Sequence, residues 1–283
     1  MSRVYECFPG GKYKAVTLSY DDGKIMDRRL ISICNSTGLK GTFHLNSEYF
    51  DCKEGHCYPY ISASEVKTLY KGHEVAGHTC THPTMNRISS ALSVQEVLQD
   101  RVNLERLVKV PVKGFSYPNG VFNDNIKIIL KACDISYARI TGNSEEFSLP
   151  EDFLEWKPTC HHNHKLLELT EKFLKQENDQ RLMLLYVWGH SYEFERDNNW
   201  GLIEKFAETV VGHDSIWYAT NKEIYDYMQC ISCMQYFADG KGVYNPSYNS
   251  VWLSIDKDIY EIKGGETVFF DELKNKSICR DSY

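Results

Sequence analysis

Short apolar runs alternate with amphipathic stretches along most of the chain. Residues 15–18, 41–45, 74–77, 113–116, 135–140, 182–188 and 215–219 are compact, apolar and bounded by turn-forming residues, which predicts seven strands. The stretches 24–37, 62–70, 93–108, 123–133, 164–175, 200–211 and 221–237 read as helices. Gly38 closes the first of these, and Ser62 with Glu65, like Ser93 with Glu96, has the spacing of a capping box. Loops are predicted over 46–61 and 141–162. Strands that alternate with helices in this way argue for a parallel sheet joined by crossovers. From about Ala238 the texture changes, and 251–255, 259–262 and 267–270 alternate like short strands. The expected organisation is a barrel over 1–237 and a small β appendage over 238–283. So small an appendage would not be stable alone, and it is expected to pack on the barrel. A sugar-binding add-on is its second reading.

The predicted strands end in polar residues. Asp21, Asp22, His78, Tyr117, Arg139 and His190 all lie at or just beyond C-terminal strand ends, the face on which a β/α barrel builds its chemistry. Adjacent carboxylates such as Asp21 and Asp22 repel each other and are costly to hold together without a cation. His78 and His82 can add two imidazoles to one carboxylate, giving the three protein ligands of an open metal site. The two histidines also have the spacing of neighbours on a helix face, but Pro83 disfavours regular helix there.

Composition narrows the partners. A net charge of -7 and a pI near 5.8 argue against a nucleic-acid partner held through phosphates. The longest apolar run, 182–188, is too short to span a bilayer. The N-terminus shows no signal-peptide pattern, so the ten cysteines read as free thiols and the expected location is cytoplasmic. Oligomeric state is not encoded in any pattern found.

Ser19-Tyr-Asp-Asp-Gly23, His78-x3-His82, Phe115-Ser-Tyr-Pro-Asn-Gly120 and Trp188-Gly-His190 together resemble the motifs of the polysaccharide deacetylase (NodB-homology) family, carbohydrate esterase family four. They occur in the family's order over residues 15–220. The resemblance implies a distorted (β/α)7 barrel and one divalent transition metal, zinc foremost, with cobalt, iron or nickel compatible with the same donors. It places the metal on Asp22, His78 and His82, makes Asp21 the general base and His190 the general acid, and takes an oxyanion-binding amide from Tyr117 to Asn119. The implied substrate is an acetylated oligo- or polysaccharide, with N-acetyl removal from an N-acetylglucosamine-type sugar as the leading reaction. O-acetyl ester hydrolysis, small-amide hydrolysis and an inactive glycan-binding barrel are the alternatives. Two positions depart from the family. Ser116 stands where the third motif carries an arginine, for which Arg139 is the candidate substitute. The fourth motif is represented only by Asp152-Phe-Leu-Glu-Trp156, where Trp156 reads equally as core or as a sugar platform. His161 and His162 are expected on a loop near the mouth, with a substrate or solvent role.

Overall fold

The computed structural model describes residues 2–52, 57–177 and 179–273. The chain runs β1 (Val4–Cys7), β2 (Lys14–Asp21), α1 (Asp27–Thr37), β3 (Gly41–Leu45), α2 (Val66–Leu69), β4 (Glu74–Gly77), α3 (Ser90–Val108), β5 (Gly114–Ser116), α4 (Asp124–Ala132) and β6 (Tyr137–Arg139). It continues through β7 (Cys160–His161), α5 (Leu166–Lys175), β8 (Met183–His190), α6 (Ser191–Arg196), α7 (Trp200–Val210), β9 (Ile216–Tyr218) and α8 (Asn221–Ser232). Five short strands follow: β10 (Gln235–Tyr236), β11 (Gly242–Tyr244), β12 (Val251–Ile255), β13 (Asp258–Ile262) and β14 (Thr267–Phe269).

Seven parallel strands in the order β6-β5-β4-β3-β2-β8-β7 curl into an open barrel, and β9 pairs with the first half of β2. β2 shows why the site lies where it does. All of its residues after Lys14 are buried, as befits a strand covered on both sides. Its side chains alternate between two faces. Val16, Leu18 and Tyr20 pack in one core with Leu30 and Ile31 of α1, Phe173 of α5, and Ile203 and Phe206 of α7. The opposite face carries Thr17, Ser19 and Asp21, a polar ladder that climbs to the C-terminal rim. Asp21 pairs in register with His44 of β3 and His190 of β8, so three polar side chains start from one level.

Four local expectations are corrected. The predicted loop 141–162 contains β7, a two-residue strand set by its pairing with β8 and too short to leave a periodic signal. α8 stops at Ser232 because the chain turns off to pair Gln235–Tyr236 with β11. Ser62 caps only a 3-10 turn by accepting from Ser64 N, and Glu65 instead takes Arg28 at 2.6 Å. α3 begins three residues early: Ser89 Oγ accepts from Leu92 N, which frees Ser93 and Glu96 from any capping role.

The C-terminal strands form two small antiparallel sheets, β1-β12-β13 and β10-β11-β14. Val4–Cys7 thus hydrogen-bonds into the far end of the chain, with Val4 opposite Ile255. Leu253, Ile255, Ile262 and Val268 share one core with Phe8, Leu184 and Tyr186, and with Tyr227 and Ile231 of α8. Residues 274–283 of the expected appendage lie outside the described residues. No helix among the described residues is long and apolar enough to cross a membrane.

Candidate metal centre and active site

β2 ends in a turn that only an unusual backbone can make. Asp22 and Gly23 both have positive φ, 80° and 64°, and a Cβ on Gly23 would sit 2.9 Å from Leu45 Cδ2. The turn gives the two carboxylates different partners, although both approach His78 Nε2, at 4.0 Å from Asp21 Oδ2 and 3.8 Å from Asp22 Oδ1. The Asp22 carboxylate faces the loop after β4, where Thr79 and His82 also have positive φ, so 78–82 is not a helical turn. His78 Nε2 and His82 Nε2 lie 3.8 and 3.9 Å from Asp22 Oδ1. A tetrahedral zinc site with bonds near 2.0–2.1 Å has ligand-to-ligand edges of roughly 3.4 Å, so these three atoms surround a space of about the right size.

The chemistry of the donors fits a metal as well. His78 Nδ1 is 2.8 Å from the carbonyl oxygen of Ser116, which can only accept. The ring proton is therefore on Nδ1, and Nε2 turns its lone pair toward Asp22, the arrangement that metal-ligating histidines take. Burial pushes the His78 pKa down to about 3, which keeps the ring neutral.

Asp21 borders the same space, its Oδ2 4.0 Å from His78 Nε2, but its carboxylate is engaged by other groups. Its Oδ2 pairs with Arg139 Nη2, and its Oδ1 accepts from Ser116 Oγ at 3.1 Å. Arg139 is itself fixed: Nε donates to Ser19 Oγ at 3.0 Å, and the guanidinium lies 4.6 Å from the centre of the Trp188 ring. Burial opposes ionisation of Asp21, but the Arg139 guanidinium beside it holds the carboxyl well below its usual range. Asp21 is thus an ionised acceptor with a fixed orientation.

At the end of β8, helix α6 brings Glu193 under His190. Glu193 Oε2 accepts from His190 N at 3.2 Å and lies 3.3 Å from His190 Nδ1. Burial would lower the His190 pKa, but Glu193, Asp21 and Asp22 outweigh it and raise it. His161 Nε2 is 2.9 Å from the same oxygen, and His161 Nδ1 accepts from Asn163 N. His161 therefore carries its proton on Nε2 and donates to Glu193. The ligand atoms of His161, His190 and Glu193 lie close enough for a metal, but the His161 proton points into the group, so it is a hydrogen-bonded cluster.

Three expected site residues are placed elsewhere. Trp156 is 1% exposed, enclosed by the rings of Tyr137, Phe153 and Tyr186, and offers no face to a sugar. His162 is not at the mouth. One residue past β7, His162 is fully buried between Tyr20 and Phe194, its ring 4.4 Å from that of His161 and its Nε2 3.5 Å from Glu193 Oε2, so it lies beneath the cluster and not at the mouth. Gly189 makes room for it, since a Cβ there would meet His162 Nδ1 at 2.1 Å. Tyr117 is buried with its hydroxyl on Leu154 O, and its N–H donates to Arg139 O. Pro118 has no N–H, which leaves Asn119 as the candidate amide donor of that stretch.

Residues 10–138 match the family model described as polysaccharide deacetylase. The matched stretch is somewhat under half of the chain, and over it the chain is similar to the polysaccharide deacetylase family. Among solved structures, it is similar to a Mycobacterium smegmatis protein described as a polysaccharide deacetylase, with 15% identity and a TM-score of 0.58 over 82% of this chain and 96% of that one. A family 4 carbohydrate esterase from Streptomyces lividans, solved with acetate, matches at 17% identity and a TM-score of 0.50, covering 74% of this chain and 93% of that one. The match to the deacetylase PplD of Streptococcus pyogenes has 17% identity and a TM-score of 0.45, and covers 49% of this chain and 61% of the length of that one. No curated protein matches the sequence. The family model ends one residue before Arg139. It spans Asp21, Asp22, His78, His82 and Ser116, while Arg139, His161, His190 and Glu193 lie beyond it. Glu193 and the positive role of Ser116 were not anticipated from sequence; the one available signal was Glu193 standing three residues after His190, on the first turn of a helix.

Proposed function

We propose that the chain is a metal-dependent hydrolase that removes an N-acetyl group from an amino sugar in a glycan, N-acetylglucosamine being the sugar type. One observation carries this reading: the adjacent carboxylates are divided between two tasks, Asp22 facing two imidazoles and Asp21 held ionised by Arg139 and Ser116. A binding module has no need of that division. The family description, and the acetate bound to the Streptomyces lividans esterase, support an acetyl group as the one removed.

Asp22, His78 and His82 would hold the metal. When bound, a divalent ion would polarise the acetyl carbonyl and bring the pKa of a water beside it toward 7. Asp21, fixed next to that position, accepts the water's proton. Asn119 N–H donates to the developing oxyanion. His190, with Glu193 beneath it favouring the charged ring, gives a proton to the departing amine.

Acetate release from chitin oligomers, peptidoglycan fragments and acetylated xylan, measured side by side, tests the substrate class. Release from the N-acetylated glycans is expected. Release from xylan alone, together with full activity in His190→Gln, would replace the amide reading with an ester one, because an alcohol leaves with less acid help. Asp21→Asn is expected to keep about one metal per chain and to lose on the order of 10²–10⁴-fold in rate. Full activity in that variant would sink the base assignment.

A further inference from the structure

The loop carrying His78 and His82 holds a shape it would not keep unaided. Thr79 is β-branched and His82 is bulky, yet both sit at positive φ, 66° and 54°. The loop is gripped from behind by one face of α3. Glu96, Asp100 and Asn103, at positions i, i+4 and i+7, point from that helix to the same side.

Both oxygens of Asp100 accept backbone N–H groups: Oδ2 from His78 N and Oδ1 from Ser47 N, each at 3.0 Å. The approach depends on Gly77, where a Cβ would lie 3.1 Å from Asp100 Oδ2. Glu96 holds the middle of the loop, accepting from Thr81 N at 2.9 Å and Thr81 Oγ1 at 2.7 Å. Asn103 donates to Ser47 Oγ at 3.0 Å and braces the same strand end. From the other side, Asn46 Nδ2 donates to the carbonyls of His78 and Thr79. Neither carboxylate reaches the space between Asp22, His78 and His82. Both act on the backbone that aims the two imidazoles.

We propose that Asp100 and Glu96 are positioning residues for the metal, presetting the loop so that His78 and His82 meet Asp22 without reorganisation. This rests on the metal reading above. It assigns a role to a helix face outside the motifs, and it makes a distinction that hydrogen-bond inventory alone decides. Asparagine at 100 has one acceptor for two N–H donors, so Asp100→Asn turns an NH₂ group on either Ser47 N–H or His78 N–H, the latter shared with Leu45 O at 3.1 Å. Glutamine at 96 loses nothing: its carbonyl accepts from Thr81 N, and its NH₂ donates to Thr81 Oγ1, a hydroxyl that takes either role.

The test is Zn²⁺ affinity of the chelator-stripped full chain, measured by competition with a chromophoric chelator, beside the melting temperature of the metal-free form. Asp100→Asn and Glu96→Ala are expected to weaken Zn²⁺ binding by about 10–100-fold, the usual cost of losing an outer-shell partner. Glu96→Gln is expected to stay within about threefold of wild type. A purely structural role would lower the metal-free melting temperature and leave affinity unchanged. Wild-type affinity in Asp100→Asn and Glu96→Ala overturns the proposal, as does Glu96→Gln binding as weakly as Glu96→Ala. Should Asp100→Asn not fold, the two Glu96 variants decide. His78→Ala separates the two readings: undiminished Zn²⁺ binding there removes the metal site itself, whereas loss there with unaffected α3 variants removes only the role of α3.

Discussion

At the scale of single residues, the site is organised by which groups can only accept and which can only donate. Ser116 stands where the third motif usually carries an arginine, yet it serves two partners. Its carbonyl fixes the His78 proton on Nδ1, and its hydroxyl donates to Asp21. The charge comes instead from Arg139, one strand over, whose planar fork spans Asp21 and Ser19 in a way that lysine would not reproduce. Removing that cation raises the pKa of Asp21. A base must be ionised to act, so Arg139→Met should move the acidic limb of kcat/KM to higher pH with metal content unchanged. The buried carboxylate left behind should also destabilise the fold by about 3–5 kcal/mol. An unshifted limb in a folded, metal-loaded variant would show that Arg139 does not govern Asp21.

At the scale of elements, the barrel rim is built from strand ends, and the groups beneath it come from helices. α6 is one turn and a half long, but its first turn places Glu193 against both His190 and His161. The groups facing His190 are Glu193 from its own helix, Asp21 and Asp22 from the end of β2, and His161 from β7. Glu193→Gln keeps an acceptor for His190 N, so the helix start survives while the negative charge is lost. The His190 pKa should then fall. A general acid must be protonated to act, so the basic limb of kcat/KM should move to lower pH. No movement, with His190→Gln inactive, would mean that the acid is not tuned by Glu193.

The elements also mark how far sequence could be read. Asp21, Asp22, His78 and His82 could be singled out as candidates because each sits in a short contiguous stretch at or just past a strand end, where turn residues leave a local signature. Seven of the eight strands of the main sheet were similarly plain. β7 was not, because two residues carry no period and only the β8 ladder defines them. For the same reason His161 and His162 could not be told apart, although His161 hydrogen-bonds Glu193 near the rim and His162 is fully buried beneath it. Trp156, read equally as core or sugar platform, is core, a choice left open because burial among three aromatic rings depends on β6, β8 and a 3-10 turn meeting in space. Glu96 and Asp100 were readable as helix positions and nothing more, since the backbone groups they hold are 15 and 22 residues away.

At the scale of the whole molecule, strand β1 joins the C-terminal strands against α8 and β8. β1 pairs with β12, and Phe8, Leu253, Ile255 and Ile262 share a core with Tyr227 and Ile231 of α8 and with Leu184 and Tyr186 of β8. We propose that these strands are a structural cover and not a substrate module. Their inward residues are apolar and buried against the barrel, and each such side chain contributes about 1.5–3 kcal/mol when fully buried. Deleting residues 238–283 would strip β11 to β14, leave β1 without a partner, and expose the apolar side of α8. A lower melting temperature and lower solubility should follow. α8 also touches the barrel's polar interior, where Thr17 Oγ1 donates to Asn221 Oδ1 and Asn221 Nδ2 donates to Tyr186 Oη. Those contacts lie within residues that the deletion keeps, so the rim should remain assembled in whatever fraction stays folded. Specific activity of that fraction, corrected for folded protein, is expected to change little on short and long acetylated glycans alike. A loss confined to long glycans would overturn the cover reading and make the C-terminal strands part of substrate binding.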